Sequence, residues 1–173
     1  KPCFDEKYKD VILFIKDKIE KILSAITSAS LQIVNMHPDI FTPTPQLNVN
    51  SCLSEGADRL VAREGLHQGF NLGAILPFHR DSPIHGHDLS ASDQKISRAE
   101  LDYLLQASKN IFEINSDIGA FTSDTSGDEL RQNAYLSASI SMLENSDIII
   151  ALWNQKLQQR PGSTYDTLTR AIN

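Results

Sequence analysis

Cysteine is scarce in this chain, whose 173 residues include only Cys3 and Cys52. The two lie far apart in sequence and match neither the spacing of a metal site nor that of a redox motif. Such sparse cysteine is typical of a protein in a reducing cytoplasm, although the two residues can in principle pair. We therefore expect a cytoplasmic protein.

Long apolar runs and an excess of positive charge are also missing. No stretch approaches the ~18 consecutive apolar residues of a membrane span, and the N-terminus, KPCFDE, does not resemble a signal peptide. A formal net charge of −6 gives no electrostatic footprint for DNA, RNA or an anionic membrane. With 40% hydrophobic and 22% charged residues, the chain is typical of one globular domain, 1–173.

Strands and helices alternate along this domain. Apolar residues in alternation or in short runs predict four strands, with an unbroken run in the last, at 47–53, 72–76, 110–114 and 147–153. Apolar residues at helical spacing predict helices at 4–28, 57–68 and 130–144, a helix opened by a capping box at Ser97, and a last helix after Thr164. Polar loops are predicted at 78–94 and 115–128. This order predicts an α/β fold with a largely parallel sheet.

The first helix begins almost at residue 1, with no strand before it. In an alternating α/β protein this arrangement suggests that a terminal strand is missing from this chain. It also suggests that the 173 residues belong to a longer protein.

Two turns rich in small residues follow predicted strands, at 51–58 and 161–166. In open parallel sheets, ligands bind outside the carboxyl ends of the strands, where helix N-termini attract anionic groups such as phosphate. The two turns therefore predict a ligand site, the alternative being ordinary strand-to-helix connections.

Within the first turn, Glu55 and Asp58 can accept hydrogen bonds from ribose hydroxyls or can cap the following helix. Arg59 can reach a phosphate or lie in solvent. Ser163 and Thr164 of the second turn can donate hydroxyl hydrogen bonds beside backbone N–H groups, and Asp166 falls in the first turn of the last helix.

The same two turns resemble a known family. Residues 51–62, SCLSEGADRLVA, are similar to the pattern SGLAEGADRLVA of SLOG-type Rossmann-like domains. The likeness continues through 75–78, 101–107, 133–135 and 147–153, and through GSTYD at 162–166, where the family usually has GGTAE. The resemblance covers most of the chain from residue 46 onward and implies a three-layer Rossmann-like fold.

SLOG domains bind nucleotides. Some are enzymes, such as the Lonely Guy phosphoribohydrolases, which cleave a base from a nucleoside monophosphate. Others sense NAD-derived or ADP-ribose-like nucleotides and are attached to membrane or other effector domains in bacterial antiviral defence. The resemblance thus implies a small-molecule nucleotide ligand, no required cofactor, a homo-oligomer, and an effector domain outside this chain.

The chain departs from the hydrolase signature PGGxGTxxE. Pro161-Gly162-Ser163-Thr164 is one glycine short, and Thr167 stands in place of the glutamate. A threonine cannot act as the carboxylate that stabilises an oxocarbenium-like transition state or activates water. We therefore expect a sensor, with an N-glycosidic hydrolase that uses Glu55 or Asp166 as the alternative. In the first turn, Cys52 and Ser54 replace the family's glycine and alanine.

Other candidates lie outside the turns. Arg80 and Arg131 can neutralise phosphate, because a guanidinium matches phosphate oxygens bidentately. Trp153 can stack on a base or close the core. Loop histidines and acids match no standard zinc spacing, so we expect no metal. The predicted ligand-binding residues are Ser54, Glu55, Gly56, Asp58, Arg59, Arg80, Arg131, Trp153, Gly162, Ser163, Thr164 and Asp166.

Overall fold

The computed structural model of the chain describes residues 9–82, 91–114, 125–153, 155, 157 and 160–172. Within these ranges are five helices and three strands. They are α1 (Lys9–Met36), β1 (Asn48–Ser51), α2 (Ala57–His67), β2 (Asn71–Leu76), α3 (Ala91–Ala107), β3 (Ser108–Glu113), α4 (Thr125–Glu144) and α5 (Thr164–Ile172). Helices and strands alternate from α1 to α4 as the sequence predicts, whereas none of the described strands separates α4 from α5.

The described strands form one parallel sheet in the order β1-β2-β3. The side chains of β2 alternate between its two faces. Leu72, Ala74 and Leu76 join the main core, which α1, α2 and α3 also form. Ile75 points the other way, toward Ala138 of α4. The domain therefore has the α/β/α layers of a Rossmann-like fold, as predicted.

Connections between neighbouring parallel strands explain this layering. The segments β1-α2-β2 and β2-α3-β3 are crossover units, whose common hand puts their helices on one face of the sheet. After β3 the chain crosses to the other face of the sheet, where α4 packs. The carboxyl end of β1 is consequently left open between α2 and α4.

Four sequence predictions about boundaries are wrong. The first helix, predicted to end at residue 28, continues to Met36. The helix predicted to start at Ser97 begins at Ala91, so Ser97 lies inside α3 and is buried. Residues 91–94 and 125–128, predicted as loop, belong to α3 and α4. Residues 78–82 belong to no helix or strand, as predicted. The predicted loop residues 83–90 and 115–124 lie outside the described residues, as does the predicted start of the first helix.

The strand predicted at 147–153 is also wrong. All seven residues are described, and none belongs to a strand. Ile150 and Leu152 pack against the main core, whereas Ile148 is 57% exposed. An apolar run predicts burial, but a strand also needs a partner edge at hydrogen-bonding distance, about 4.8 Å away. Here the run and β1 border one cavity, and no residue of the run pairs with a described strand.

Candidate functional site

A cavity of about 1560 Å³ lies along β1 and its carboxyl end. One wall is formed by β1 and the turn after it, the other by residues 145–152, and α4 and the start of α5 close one side. The structure thus brings the two predicted turns to one space. Seven predicted ligand residues line it: Ser54, Glu55, Asp58, Arg131, Gly162, Ser163 and Thr164.

A buried hydroxyl holds the first turn in shape. Ser51 Oγ accepts a hydrogen bond from the Leu53 backbone N–H at 3.1 Å and donates one to the Asp58 carbonyl at 3.2 Å. Leu53 itself has a φ of 54°. A leucine rarely adopts this left-handed conformation, which costs on the order of 1–3 kcal/mol. The Ser51 bridge therefore stabilises a strained backbone at the cavity wall.

Beyond this bridge, Ser54 joins the first turn to α4. Its hydroxyl is hydrogen-bonded to Asp58 and to Tyr135. Burial raises the pKa of Asp58, and the Ser54 hydrogen bonds and the charge of Arg59 offset only part of that rise. Burial is also the main cause of the raised pKa of Tyr135. The cavity wall here presents a hydroxyl network and a carboxyl group that ionises reluctantly.

Tyr135 was not among the predicted ligand residues. Its ring packs edge-on against Phe78 with the centroids 5.2 Å apart, which fixes the phenol at the cavity wall. The resemblance at 133–135 was the signal that could have identified it. Cys52 was also missed; it is 6% exposed, and burial raises the pKa of its thiol. Its sulfur lies 3.6 Å from Met142 Sδ, so it contributes packing between β1 and α4.

The second turn is built around Gly162, whose φ is 72°. A Cβ at this position would lie 2.5 Å from the backbone N of Leu136 and 2.6 Å from the carbonyl carbon of Tyr135. Only glycine lets this turn lie directly against α4, which sets the distance between the turn and Arg131. The glycine is therefore required by packing.

Asp166 caps this turn. Its Oδ2 accepts hydrogen bonds from the Gly162 N–H and from Arg170 Nε, both at 3.0 Å. Burial opposes ionisation, but these hydrogen bonds and the charge of Arg170 lower the pKa of Asp166 overall. Ser163 Oγ in turn accepts from the Asp166 backbone N–H at 3.2 Å and so caps the N-terminus of α5. The Asp166 carboxylate binds the Gly162 N–H, one residue before Ser163.

Four other predicted ligand residues have structural contacts. Gly56 is the N-cap of α2, with a φ of 95°. Arg59 is 2% exposed, so it does not lie in solvent, and its guanidinium donates to Leu53 and Ser97. Arg80 donates to Glu113 at the end of β3, and this pairing overcomes burial to lower the pKa of Glu113. Trp153 is 40% exposed and contacts the ring of Tyr165. None of these four lines the cavity.

Among the described residues, no group of three or more His, Cys, Asp or Glu side chains is arranged to hold a metal ion. None of the described helices combines the length and apolar content needed to cross a lipid bilayer. No family model, curated protein or solved structure matches the chain. The fold and the cavity define it as an α/β domain with a Rossmann-like parallel sheet.

Proposed function

We propose that this domain binds an NAD-derived or ADP-ribose-like nucleotide in the cavity between the two turns and acts as a sensor. The observation that carries the proposal is the convergence of Ser54, Asp58, Arg131, Ser163 and Thr164 on one space. Ligand sites are concave and combine apolar walls with a few convergent polar groups. Here the turn after β1 supplies polar groups from one side, and α4 and α5 supply them from the other.

Phosphate would bind at the α5 end of the cavity. Ser163 and Thr164 lie at the N-terminus of α5, where the helix dipole favours negative charge. Arg131 reaches the same cavity from α4, and a guanidinium can bind two phosphate oxygens at once. A helix terminus and an arginine together provide local positive charge in a chain with a net charge of −6.

Ribose hydroxyls would bind at the β1 end. Glu55 and Asp58 offer carboxyl oxygens there, and Ser54 and Tyr135 offer hydroxyls. These groups can both donate and accept hydrogen bonds, as the two hydroxyls of a ribose require. The volume of the cavity is sufficient for a ligand with two ribose units.

The hydrogen bonds of Thr167 and Asp166 favour binding of the nucleotide without cleavage. Thr167 stands where the resembled hydrolases have glutamate, and its hydroxyl donates to the Ser163 carbonyl at 3.0 Å. Asp166, one predicted catalytic acid, is ionised and held by Gly162 and Arg170. The sensor role in bacterial defence or signalling, with an effector outside this chain, rests on the SLOG resemblance.

A second candidate function is hydrolysis of an N-glycosidic bond, and Asp58 favours it. Its carboxyl group lines the cavity and has a raised pKa, a property of groups that donate protons in catalysis. In this scheme Asp58 would protonate the leaving base, and Glu55 would stabilise the positive charge that develops on the ribose. Glu55 was the other acid considered from the sequence.

The test is to incubate the protein with NAD, ADP-ribose, cyclic ADP-ribose isomers and nucleoside monophosphates, following thermal unfolding and product release together. A ligand at one hundred times its Kd should stabilise the fold by about 2.7 kcal/mol. Stabilisation without product supports the sensor, whereas released nicotinamide or base supports the hydrolase. No stabilisation by any of these nucleotides would refute the proposed function.

Two arginine variants localise the site. Arg131→Gln should weaken a phosphate-bearing ligand about tenfold to a hundredfold, because a charge-assisted hydrogen bond is lost. It should leave the weaker binding of adenosine, which has no phosphate, unchanged. Arg63→Gln is the control, since Arg63 lies on α2 outside the cavity lining and pairs with Glu100. Equal losses in both variants would place the phosphates elsewhere.

A further inference from the structure

Helix α1 carries an exposed apolar stripe. Eight positions, all exposed, succeed one another at spacings of three and four residues: Val11, Phe14, Lys18, Ile22, Ala25, Ala29, Ile33 and Met36. Seven of the eight are apolar. Ile19 and Leu23, which are at most 2% exposed and hold the helix on the domain, lie on a neighbouring face, about 100° around the helix from the stripe. The stripe thus borders the face that packs on the domain, and Ile33 within it also lines the cavity.

The stripe is straight and long. Val11, Ile22 and Ile33 repeat every eleven residues, as do Phe14, Ala25 and Met36. Eleven residues are close to three helical turns, so side chains at this period stay nearly in line along the helix. Over the 28 residues of α1 the helix extends about 40 Å. This length suits contact with another long helix.

The exposed area is large for a free surface. Val11, Phe14, Ile22, Ile33 and Met36 are 42–72% exposed. With typical side-chain areas, these fractions amount to on the order of 500 Å², near the upper limit for the largest apolar patch of a monomer. A stable interface takes about 800 Å² from each partner, an area within reach once Lys18, the two alanines and the flanking residues are included.

We infer that the stripe, residues 11–36, is an interface for a second copy of this chain, with the two α1 helices antiparallel about an axis between Ile22 and Ala25. The spacing of the stripe is 3-4-4-3-4-4-3, which reads the same in both directions. An antiparallel copy therefore places each stripe residue opposite another stripe residue. Such self-complementarity is what a two-fold symmetric interface requires.

The facing residues also match in size. Ile22 faces Ala25, and Lys18 faces Ala29, so each large side chain meets a small one. Val11 faces Met36 and Phe14 faces Ile33 at the two ends. Within one chain the ammonium of Lys18 lies 5.1 Å from the centroid of the Phe14 ring. This cation–π contact favours a Lys18 side chain that lies along the stripe. A parallel pair in register would instead oppose Lys18 to Lys18 and alanine to alanine.

The first test is sedimentation of the full chain at micromolar concentrations. We expect a dimer, and Ile22→Glu should raise its dissociation constant about a hundredfold or more, because a carboxylate beside the axis would lose its hydration in the interface. Leu13→Glu and Leu31→Glu are matched controls: both leucines are exposed on α1, 55% and 41%, but on the side away from the stripe. These controls should leave the dimer intact.

A monomeric wild-type chain would overturn the inference. The stripe would then be a contact surface for a lipid membrane or for another protein. Equal effects of Ile22→Glu and Leu13→Glu would overturn it as well. Circular dichroism checks that each variant keeps its helices. If Ile22→Glu unfolds, Ala25→Glu provides the same test, since Ala25 is exposed and lies beside the proposed axis.

The second test addresses direction. In a Cys3→Ser background, Phe14→Cys and Ile33→Cys chains are oxidised separately and then as a mixture. The antiparallel arrangement predicts a disulfide-linked dimer in the mixture, with little in either sample alone. A dimer in the Phe14→Cys sample alone would indicate parallel helices and refute the proposed register.

Discussion

The guanidinium of Arg59 donates hydrogen bonds from Nη1 to the carbonyl and to the hydroxyl of Ser97, at 2.8 and 2.9 Å. Its Nε donates to the Leu53 carbonyl at 2.9 Å. One buried side chain therefore connects the first helix after β1 to α3 and to the strained turn at the cavity wall. This contact positions the turn that carries Ser54 and Asp58.

Arg59→Ala should destabilise the domain by about 3–5 kcal/mol, since it leaves buried carbonyl groups without their donor. Urea denaturation measures the change. Arg63→Ala is the control, because Arg63 is 30% exposed and also pairs with Glu100; it should cost less than about 1 kcal/mol. Similar losses in the two variants would contradict a special role for Arg59.

Gly162→Ala should destabilise the domain by about 3 kcal/mol, through both backbone strain and a clash with α4. Gly69→Ala separates the two causes. Gly69 also has a positive φ, 82°, but a Cβ there meets nothing within 4 Å. Gly69→Ala should therefore lower the free energy of unfolding by about 1 kcal/mol, from backbone strain alone. Denaturant midpoints that shift equally would show that Gly162 is not packed tightly against α4.

Asp58→Asn should change the pH dependence of stability. Because the folded state raises the pKa of Asp58 above its unfolded value of ~3.9, the contribution of Asp58 is fully present below that value and is lost as pH rises through the folded pKa. Relative to wild type, the variant should therefore gain stability between acidic and neutral pH. Thermal melts across this range measure it, with the exposed Asp39→Asn as control. A constant difference between Asp58→Asn and wild type would contradict the raised pKa.

Asp166→Asn should show the opposite trend. The folded state lowers the pKa of Asp166, so its contribution is present above the unfolded pKa and is lost as pH falls through the folded pKa. We expect the variant to be about 1 kcal/mol less stable than wild type at neutral pH, as for loss of a helix cap. The two proteins should converge in acid. A deficit that persists unchanged at low pH would show that the charge of Asp166 is not responsible.

The sequence by itself determined the order of elements. The apolar spacing of 47–53, 72–76 and 110–114 corresponds to β1, β2 and β3, because burial of one face of a strand imposes period two locally. Helical periodicity likewise identified α2, which starts and ends within a residue of the prediction. The sequence also indicated two turns of small residues after predicted strands, and in the structure both turns line one cavity. Local patterns are sufficient for such features, since their cause is local.

Only the tertiary structure decided what the polar residues contact. Arg59 and Ser97 are 38 residues apart, so no spacing could indicate that they bind each other. The run at 147–153 has the composition of a strand, but it pairs with no described strand and borders the cavity instead. Whether a residue faces a cavity, a partner side chain or solvent depends on how distant segments pack, and that packing is not encoded in the local pattern.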